Sequence, residues 1–191
     1  MYTINHTITR WIGLCLLASL LLAIPSHAKA GDLRASLGIG GAGTEWRGDG
    51  VACTQLKLGY RHWGFLGVFT DINLDYAAVD QRFITLISLG IQAWGKIGKF
   101  RPFGRLLILH QHEESLSVIA GDFIKAILGV GDGIRHRGGI GFAVGTEYEF
   151  LKKGKWVFFL SGEAFLKWFP GDMGPVMYAG GRLAIGFNYG I

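Results

Sequence analysis

The sequence predicts an all-β fold, an eight-stranded antiparallel up-and-down transmembrane β-barrel preceded by a cleavable signal peptide. The chain opens with a short apolar segment of the kind that is removed on secretion. Glycine accounts for 31 of the 191 residues, without a collagen-like period. No later apolar run reaches the roughly 18 residues of a membrane helix, whereas apolar and polar residues alternate along many stretches. Such a chain would cross a membrane with strands.

Two segments are expected, a signal peptide over residues 1–30 and the barrel over residues 31–191. Arg10 precedes an apolar run that ends at Pro25, and the small-residue A-x-A pattern of a cleavage site ends at Ala30. The apolar run is shorter than the roughly 20 residues that a spanning helix needs. We therefore expect cleavage after Ala30, in preference to retention as a membrane anchor.

The mature chain is mildly basic and holds one cysteine. The leader carries Arg10 and Lys29 but no acidic residue, so its removal takes the formal net charge from +5 to +3. This small and scattered excess of positive charge gives no argument for nucleic-acid binding. Cys53 is the only cysteine after residue 30, which excludes an intramolecular disulfide.

The strands are identified by alternation, with an apolar face toward lipid and a small or polar face toward the lumen. The third strand alternates most clearly, since Ile72 and Leu74 face outward while Asp71, Asn73 and Asp75 face inward. The fifth strand is predicted from Arg101 to Gln111, without a clear outward face. The outward faces of the other seven strands run, in chain order, from Leu33 to Ile39, Thr54 to Tyr60, Val68 to Tyr76, Phe83 to Ile91, Ile140 to Phe150, Phe158 to Trp168 and Leu183 to Ile191.

The last strand carries the most specific signal. Leu183, Ile185, Phe187, Tyr189 and Ile191 are apolar at every second residue up to the end of the chain. This pattern resembles the closing strand and assembly signal of bacterial outer-membrane β-barrels, here of the small eight-stranded type. The resemblance implies a location in the bacterial outer membrane, contact with its lipid and lipopolysaccharide, and recognition of this strand by the barrel-assembly machinery. An even strand count then places the N and C termini in the periplasm.

Aromatic residues near the strand ends predict two interfacial belts. One belt is expected to contain Tyr60, Trp63, Trp94, Tyr148, Trp156 and Tyr189, and the other Tyr76, Trp168 and Tyr178. The alternative is a secreted β-sandwich. A sandwich would need a second sheet to cover the continuous apolar face, and its core would reject the charges on the other face.

Charged residues on the inward faces predict an ion-pair network that plugs the lumen, because eight strands leave an interior that side chains can just fill. The fifth strand is ambiguous, since Leu106 to Leu109 are apolar on both faces, and we place Arg105 inward. The network is expected to contain Arg34, Lys57, Asp71, Asp75, Arg105, Glu147, Glu149, Glu163, Lys167 and Arg182.

The longest predicted connection runs from Glu113 to His136 and would be extracellular. Apolar residues from Leu116 to Leu128 recur at helical spacing, and a glycine-rich stretch follows at 129–133. This pattern is compatible with a short amphipathic helix at the barrel mouth, and equally with a hairpin that projects beyond the membrane.

Histidine, serine and acidic residues cluster at the base of this connection, with Ser117 just beyond them and His136 on its returning side. His110, His112 and Ser115 are the candidate catalytic residues, because a His, a Ser and an acid are the groups that acyl transfer requires. The two histidines could also bind a metal with Glu113 or Glu114. Polar residues at a water-facing strand end are the simpler explanation, so we assign no metal site and no cofactor.

These observations favour a non-enzymatic outer-membrane barrel with a role in envelope structure or surface interaction. The first alternative is a lipid A-modifying hydrolase or acyltransferase that uses the His/Ser/acid group. The second is a lateral path for small hydrophobic molecules.

Overall fold

The computed structural model describes residues 31–46, 48–79, 81–115, 134–171 and 174–191. The predicted signal peptide and its cleavage site lie outside these residues. Among the described residues, no helix is long and apolar enough to cross a membrane.

Eight antiparallel strands close into a barrel in which each strand pairs with its sequence neighbours and β1 pairs with β8. This confirms the predicted fold class. The strands are β1 (Asp32–Thr44), β2 (Gly50–His62), β3 (Leu66–Ala77), β4 (Arg82–Trp94), β5 (Phe100–Ser115), β6 (Arg135–Lys153), β7 (Trp156–Trp168) and β8 (Met177–Gly190).

The two faces of the barrel wall differ in polarity, in the opposite sense to a water-soluble protein. Outward residues such as Leu37, Ile39, Ile108 and Leu183 are all more than 60% exposed, whereas inward residues such as Arg105 are almost fully buried. Alternation along each strand produces this arrangement, because successive side chains point to opposite faces of a sheet. An apolar outer wall around a polar interior is the arrangement that lipid requires.

The two ends of the barrel differ in the length of their connections. We call the end that carries Asp32 and Gly190 the terminal end, where the chain turns at residues 63–65, 95–99 and 154–155. At the opposite end, the loop end, the connections are 45–49, 78–81, 116–134 and 169–176. Positive φ angles at Trp63 (51°) and Gly64 (76°) allow the first of the short turns.

Glycines face aromatic side chains across the interior wall. Gly59 pairs with Phe69, and a Cβ atom at Gly59 would lie only 2.3 Å from the Phe69 ring. Gly186 is related to Phe159 in the same way, with a distance of 2.6 Å. A side chain at either glycine would displace the ring that crosses the lumen. Part of the high glycine content thus serves the packing of the interior.

Strands β5 and β6 are longer than the sequence analysis proposed. Glu113 and Ser115 belong to β5, while Arg135 and His136 belong to β6, so the predicted Glu113 to His136 connection begins and ends within strands. The alternation of inward and outward side chains continues through these residues, because β5 and β6 remain paired as far as Glu113 and Arg135. Residues 116–133, for which the sequence left a short amphipathic helix and a projecting hairpin equally open, lie outside the described residues.

The interior combines apolar layers with charged ones. One apolar cluster contains Ile84, Leu86, Leu107 and Leu109, together with Phe165 and other buried residues. A second cluster, nearer the terminal end, contains Phe69, Trp94 and Phe103. These layers explain why Leu106 to Leu109 are apolar on both faces: Leu107 and Leu109 pack inside, while Leu106 and Ile108 face outward.

Candidate functional site

The central ion-pair cluster joins four strands across the lumen. The guanidinium of Arg105 lies 2.8 Å from the Glu163 carboxylate and 3.3 Å from Asp71. Arg182 lies 3.2 Å from the same glutamate. The four side chains are at most 3% exposed. Buried carboxylates held by two arginines stay charged only because those partners offset the loss of water.

Toward the terminal end, Arg34 on β1 reaches across the barrel to Glu147 on β6 at 2.6 Å. The indole nitrogen of Trp94 donates a hydrogen bond of 3.1 Å to the same carboxylate. Trp94 is buried in the interior, so its predicted position in an interfacial belt is wrong. Near the rim, Glu149 pairs with Arg101, and both side chains are partly exposed.

The remaining predicted lumen residues lie at different heights of the barrel. Lys167 pairs with Asp75 at 3.3 Å. Lys57 is buried without a hydrogen-bond partner among the described residues, and its ammonium lies 5.7 Å and 5.5 Å from the ring centroids of Phe69 and Phe103. Aromatic faces attract a cation at such distances. All ten predicted residues thus face the interior, and nine of them make ion pairs.

A second charged cluster lies inside the barrel at the loop end, and sequence analysis missed it. Glu113 at its centre lies 3.0 Å from Arg137 and 3.3 Å from Arg82, and it accepts a hydrogen bond of 3.1 Å from the Tyr178 hydroxyl. Arg82 also pairs with Asp49 at 2.7 Å. Continuing the inward parity of β4, β5 and β6 by a few residues would have identified the three charged strand residues.

Tyr178 therefore faces the lumen, with 3% of its surface exposed, and its predicted place in the outer aromatic belt is wrong. Its ring packs against Phe169 with centroids 5.7 Å apart. The guanidinium of Arg137 donates a 2.7 Å hydrogen bond to the carbonyl of Pro175. The cluster thus attaches the β7–β8 connection to the interior of the barrel.

Two connections at the loop end are joined by Glu45. Its carboxylate accepts hydrogen bonds from the backbone amides of Val176 and Met177, the latter at 2.9 Å. Burial alone would raise the pKa of Glu45, but these amide donors outweigh it and lower that pKa below its ordinary value. The contact holds the β1–β2 and β7–β8 connections together while Glu45 is ionised.

The pairing of β2 with β3 is interrupted at residues 53–55 and 73–75, nearer the loop end than the terminal end. Ala52 pairs with Tyr76, and the next pair along the two strands is Leu56 with Ile72, so the residues between them are not paired. Side chains bridge the interval, since the Thr54 hydroxyl donates to the Leu74 carbonyl at 2.6 Å and the Thr54 amide donates to Asp75 at 3.1 Å. These bonds replace missing ladder bonds between the two strands in this interval.

The histidine candidates lie on the outside of the barrel, not in its lumen. His110 and His112 share the outward parity of Ile108 on β5, and His136 on β6 pairs directly with His112. Glu113 points inward to the arginines, so it cannot join the histidines as a metal ligand or as the acid of a catalytic group. The side chains of Glu114 and Ser115 lie outside the described part of the structure, so the predicted His and Ser contact stays a prediction.

The three histidine rings form a compact group. The ring centroid of His112 lies 4.6 Å from that of His110 and 4.7 Å from that of His136. The ring centroids of His110 and His136 are 5.6 Å apart. His110 and His136 are exposed, whereas His112 is 4% exposed. The convergence of His136 with the other two depends on strand register, which the sequence analysis did not establish.

No protein-family model and no curated protein sequence matches the chain. Among solved structures, the barrel is similar to Neisserial surface protein A, with a TM-score of 0.57, 13% identity, and coverage of 83% of this chain and 96% of that one.

Two further solved structures have similar folds. The N-terminal β-barrel domain of Pseudomonas aeruginosa OprF gives a TM-score of 0.52 and 15% identity, over 83% of this chain and 99% of that one. Ail, the attachment invasion locus protein of Yersinia pestis, gives 0.51 and 11% identity, over 86% of this chain and 100% of that one. At such identities the similarity concerns the fold alone. The chain has the fold of the small eight-stranded outer-membrane β-barrels of Gram-negative bacteria.

Proposed function

We propose that this protein is a non-enzymatic outer-membrane β-barrel with a closed lumen and a role in envelope structure or surface interaction. The apolar outer wall supports residence in lipid. Outer-membrane barrels have short periplasmic turns and longer extracellular loops. The lengths of the connections therefore support a topology in which the terminal end faces the periplasm and the loop end faces the exterior.

The surroundings follow from this location. Outward residues such as Leu183 and Ile185 would contact outer-membrane lipid, and the loop half of the wall would contact lipopolysaccharide. The alternating strand β8, which closes the barrel against β1, is the segment that we propose the barrel-assembly machinery recognises. Solved structures of similar fold include one named a surface protein, Neisserial surface protein A, and one named an attachment invasion locus protein.

The filled lumen is the observation that carries the proposal of a closed barrel. The Arg105 and Glu163 cluster crosses the middle of the lumen, and Glu113 with its arginines lies across the loop end. Apolar rings and side chains fill the space between these charged layers. A water-filled path would require these buried ion pairs to separate, which leaves charges without partners.

Conductance measurements test the closed lumen. We expect the mature protein, reconstituted in planar lipid bilayers, to give no steady current above that of lipid alone. A water-filled porin in the same lipid is the positive control. Discrete and reproducible conductance steps from the folded protein would contradict the proposal, because they would require a continuous aqueous path.

Lipid analysis tests the absence of enzymatic activity. We expect the mass spectrum of lipid A to be the same in cells with and without the protein, because Glu113, the acid next to His112 in the sequence, is directed into the lumen and paired with Arg137. His110→Ala and Ser115→Ala are the matched variants. A lipid A that gains or loses an acyl chain with the wild type, but not with these variants, would identify the protein as an acyl-transfer enzyme.

A further inference from the structure

Three of the four histidines in the barrel segment converge on one spot of the outer wall. The chain has six histidines, of which only His62, His110, His112 and His136 follow residue 30. Residues two apart on a strand share a face, and residues paired across two strands have Cβ atoms about 4.5–5.5 Å apart. The pairing of His136 with His112 therefore brings a third imidazole beside the two that β5 already presents.

The spacing of the ring nitrogens suits a common ligand. One nitrogen from each of the three rings can be chosen so that all three lie within 4.8 Å of one another. Tetrahedral zinc with Zn–N bonds of about 2.0–2.1 Å separates its ligand nitrogens by about 3.4 Å. To bind one zinc ion, the distances between the ring nitrogens would have to shorten by roughly 1 Å or somewhat more. His110 and His136 are exposed, so small side-chain rotations can supply this movement without disturbing the packed interior.

We propose that His110, His112 and His136 form a binding site for a divalent transition-metal cation of the zinc type on the outer wall of the barrel. Neutral imidazole is a preferred ligand of zinc and copper, whereas calcium and magnesium prefer oxygen. The nearest described carboxylate in sequence, Glu113, is directed into the lumen and held by Arg82 and Arg137. Among the described side chains, the ligand set therefore consists of three imidazoles, which favours cations of the zinc type over the hard cations.

Three protein ligands leave the fourth position of a tetrahedral zinc ion open to water or to an external donor. The site lies at the loop end, near the end of β5 and the start of β6. The proposed topology places it on the exterior side, where metal can reach it from the medium. Metal binding by the purified barrel does not depend on that topology, so the two proposals can fail separately.

Calorimetric titration of the folded, tag-free mature protein in detergent micelles tests the site. We expect saturable binding of one Zn²⁺ per barrel at pH 7.5, where imidazoles with an ordinary pKa of about 6.5 are mostly neutral. Ca²⁺ and Mg²⁺ should give no saturable binding at the same concentrations. The absence of saturable zinc binding by the wild type would overturn the proposal without reference to any variant.

Single substitutions then locate the site. Changes to groups that merely support metal ligands weaken binding by about 10–100-fold, so loss of a direct ligand in His110→Ala or His136→Ala should weaken it by at least about 100-fold. His62→Ala is the matched control, because His62 lies at the terminal end beside Tyr60. It should bind zinc as the wild type does.

Both cluster substitutions remove exposed side chains, so the barrel should still form, as heat-modifiable migration on gels would establish. Zinc binding that is unchanged in both variants would show an adventitious site and overturn the proposal. Zinc binding that is lost equally in His62→Ala would overturn it as well.

Discussion

Glu163→Ala is expected to lower the free energy of unfolding by about 3–5 kcal/mol, the largest effect that we predict for a single substitution. Glu163 is the shared partner of Arg105 at 2.8 Å and Arg182 at 3.2 Å. Its removal leaves Arg182 without an ion-pair partner among the described residues and leaves Arg105 with Asp71 alone. A buried guanidinium without a carboxylate retains the cost of its desolvation. Urea titration of the barrel in lipid vesicles would measure the change.

Glu149→Ala is the matched control, because it removes the same group from an inward-facing pair near the rim. The side chains of Arg101 and Glu149 are 13% and 20% exposed, so water screens this pair. Solvent-exposed pairs contribute about 0.2–1 kcal/mol, and the loss for this pair at the rim should lie nearer that range than the loss for the central cluster. Equal losses of stability for the two substitutions would show that water reaches the centre of the lumen, which would also contradict the closed barrel.

The fold could be predicted because a membrane barrel imposes one rule on every strand. Each outward residue must tolerate lipid, so parity is visible wherever the inward face is polar, as with Ile72 between Asp71 and Asn73. The rule gave little information on β5, where Leu107 and Leu109 belong to an apolar layer inside the barrel. Alternation cannot distinguish two apolar faces.

Ion-pair partners could not be predicted from parity alone. Arg34 and Glu147 are separated by 113 residues, and their contact depends on the tilt of the strands and on how far each side chain reaches across the lumen. Alternation indicates that both face inward, but it does not indicate their relative height. Arg82, Glu113 and Arg137 were missed for a different reason, since charged residues at strand ends are ordinarily exposed to solvent.

The histidine group illustrates the same limit. His110 and His112 were visible as a pair in the sequence, and their outward parity follows from that of Ile108. The contribution of His136 follows only from the pairing of β5 with β6, which sets it opposite His112. The predicted connection from Glu113 to His136 separates the two strands in the sequence, and a connection of that length does not determine the register between them.

Leu183→Arg is expected to destabilise the inserted barrel by about 2–4 kcal/mol, the cost of placing arginine on the lipid face near the bilayer midplane. Leu183 lies midway along β8 between Met177 and Tyr189, and it is 71% exposed on the outer wall. Near the midplane, the guanidinium is farthest from both interfaces and from water. Urea titration in vesicles would report the loss of stability, and heat-modifiable migration would report the folded fraction.

Val79→Arg separates the effect of lipid from that of the substitution itself. Val79 is 56% exposed, but it lies in the 78–81 connection at the loop end, beyond the strands. Solvent-facing substitutions usually change stability by no more than about 0.5 kcal/mol, so this variant should resemble the wild type. If Leu183→Arg were tolerated as well as Val79→Arg, the wall around Leu183 would be in contact with water, and the barrel would not cross a membrane at that height.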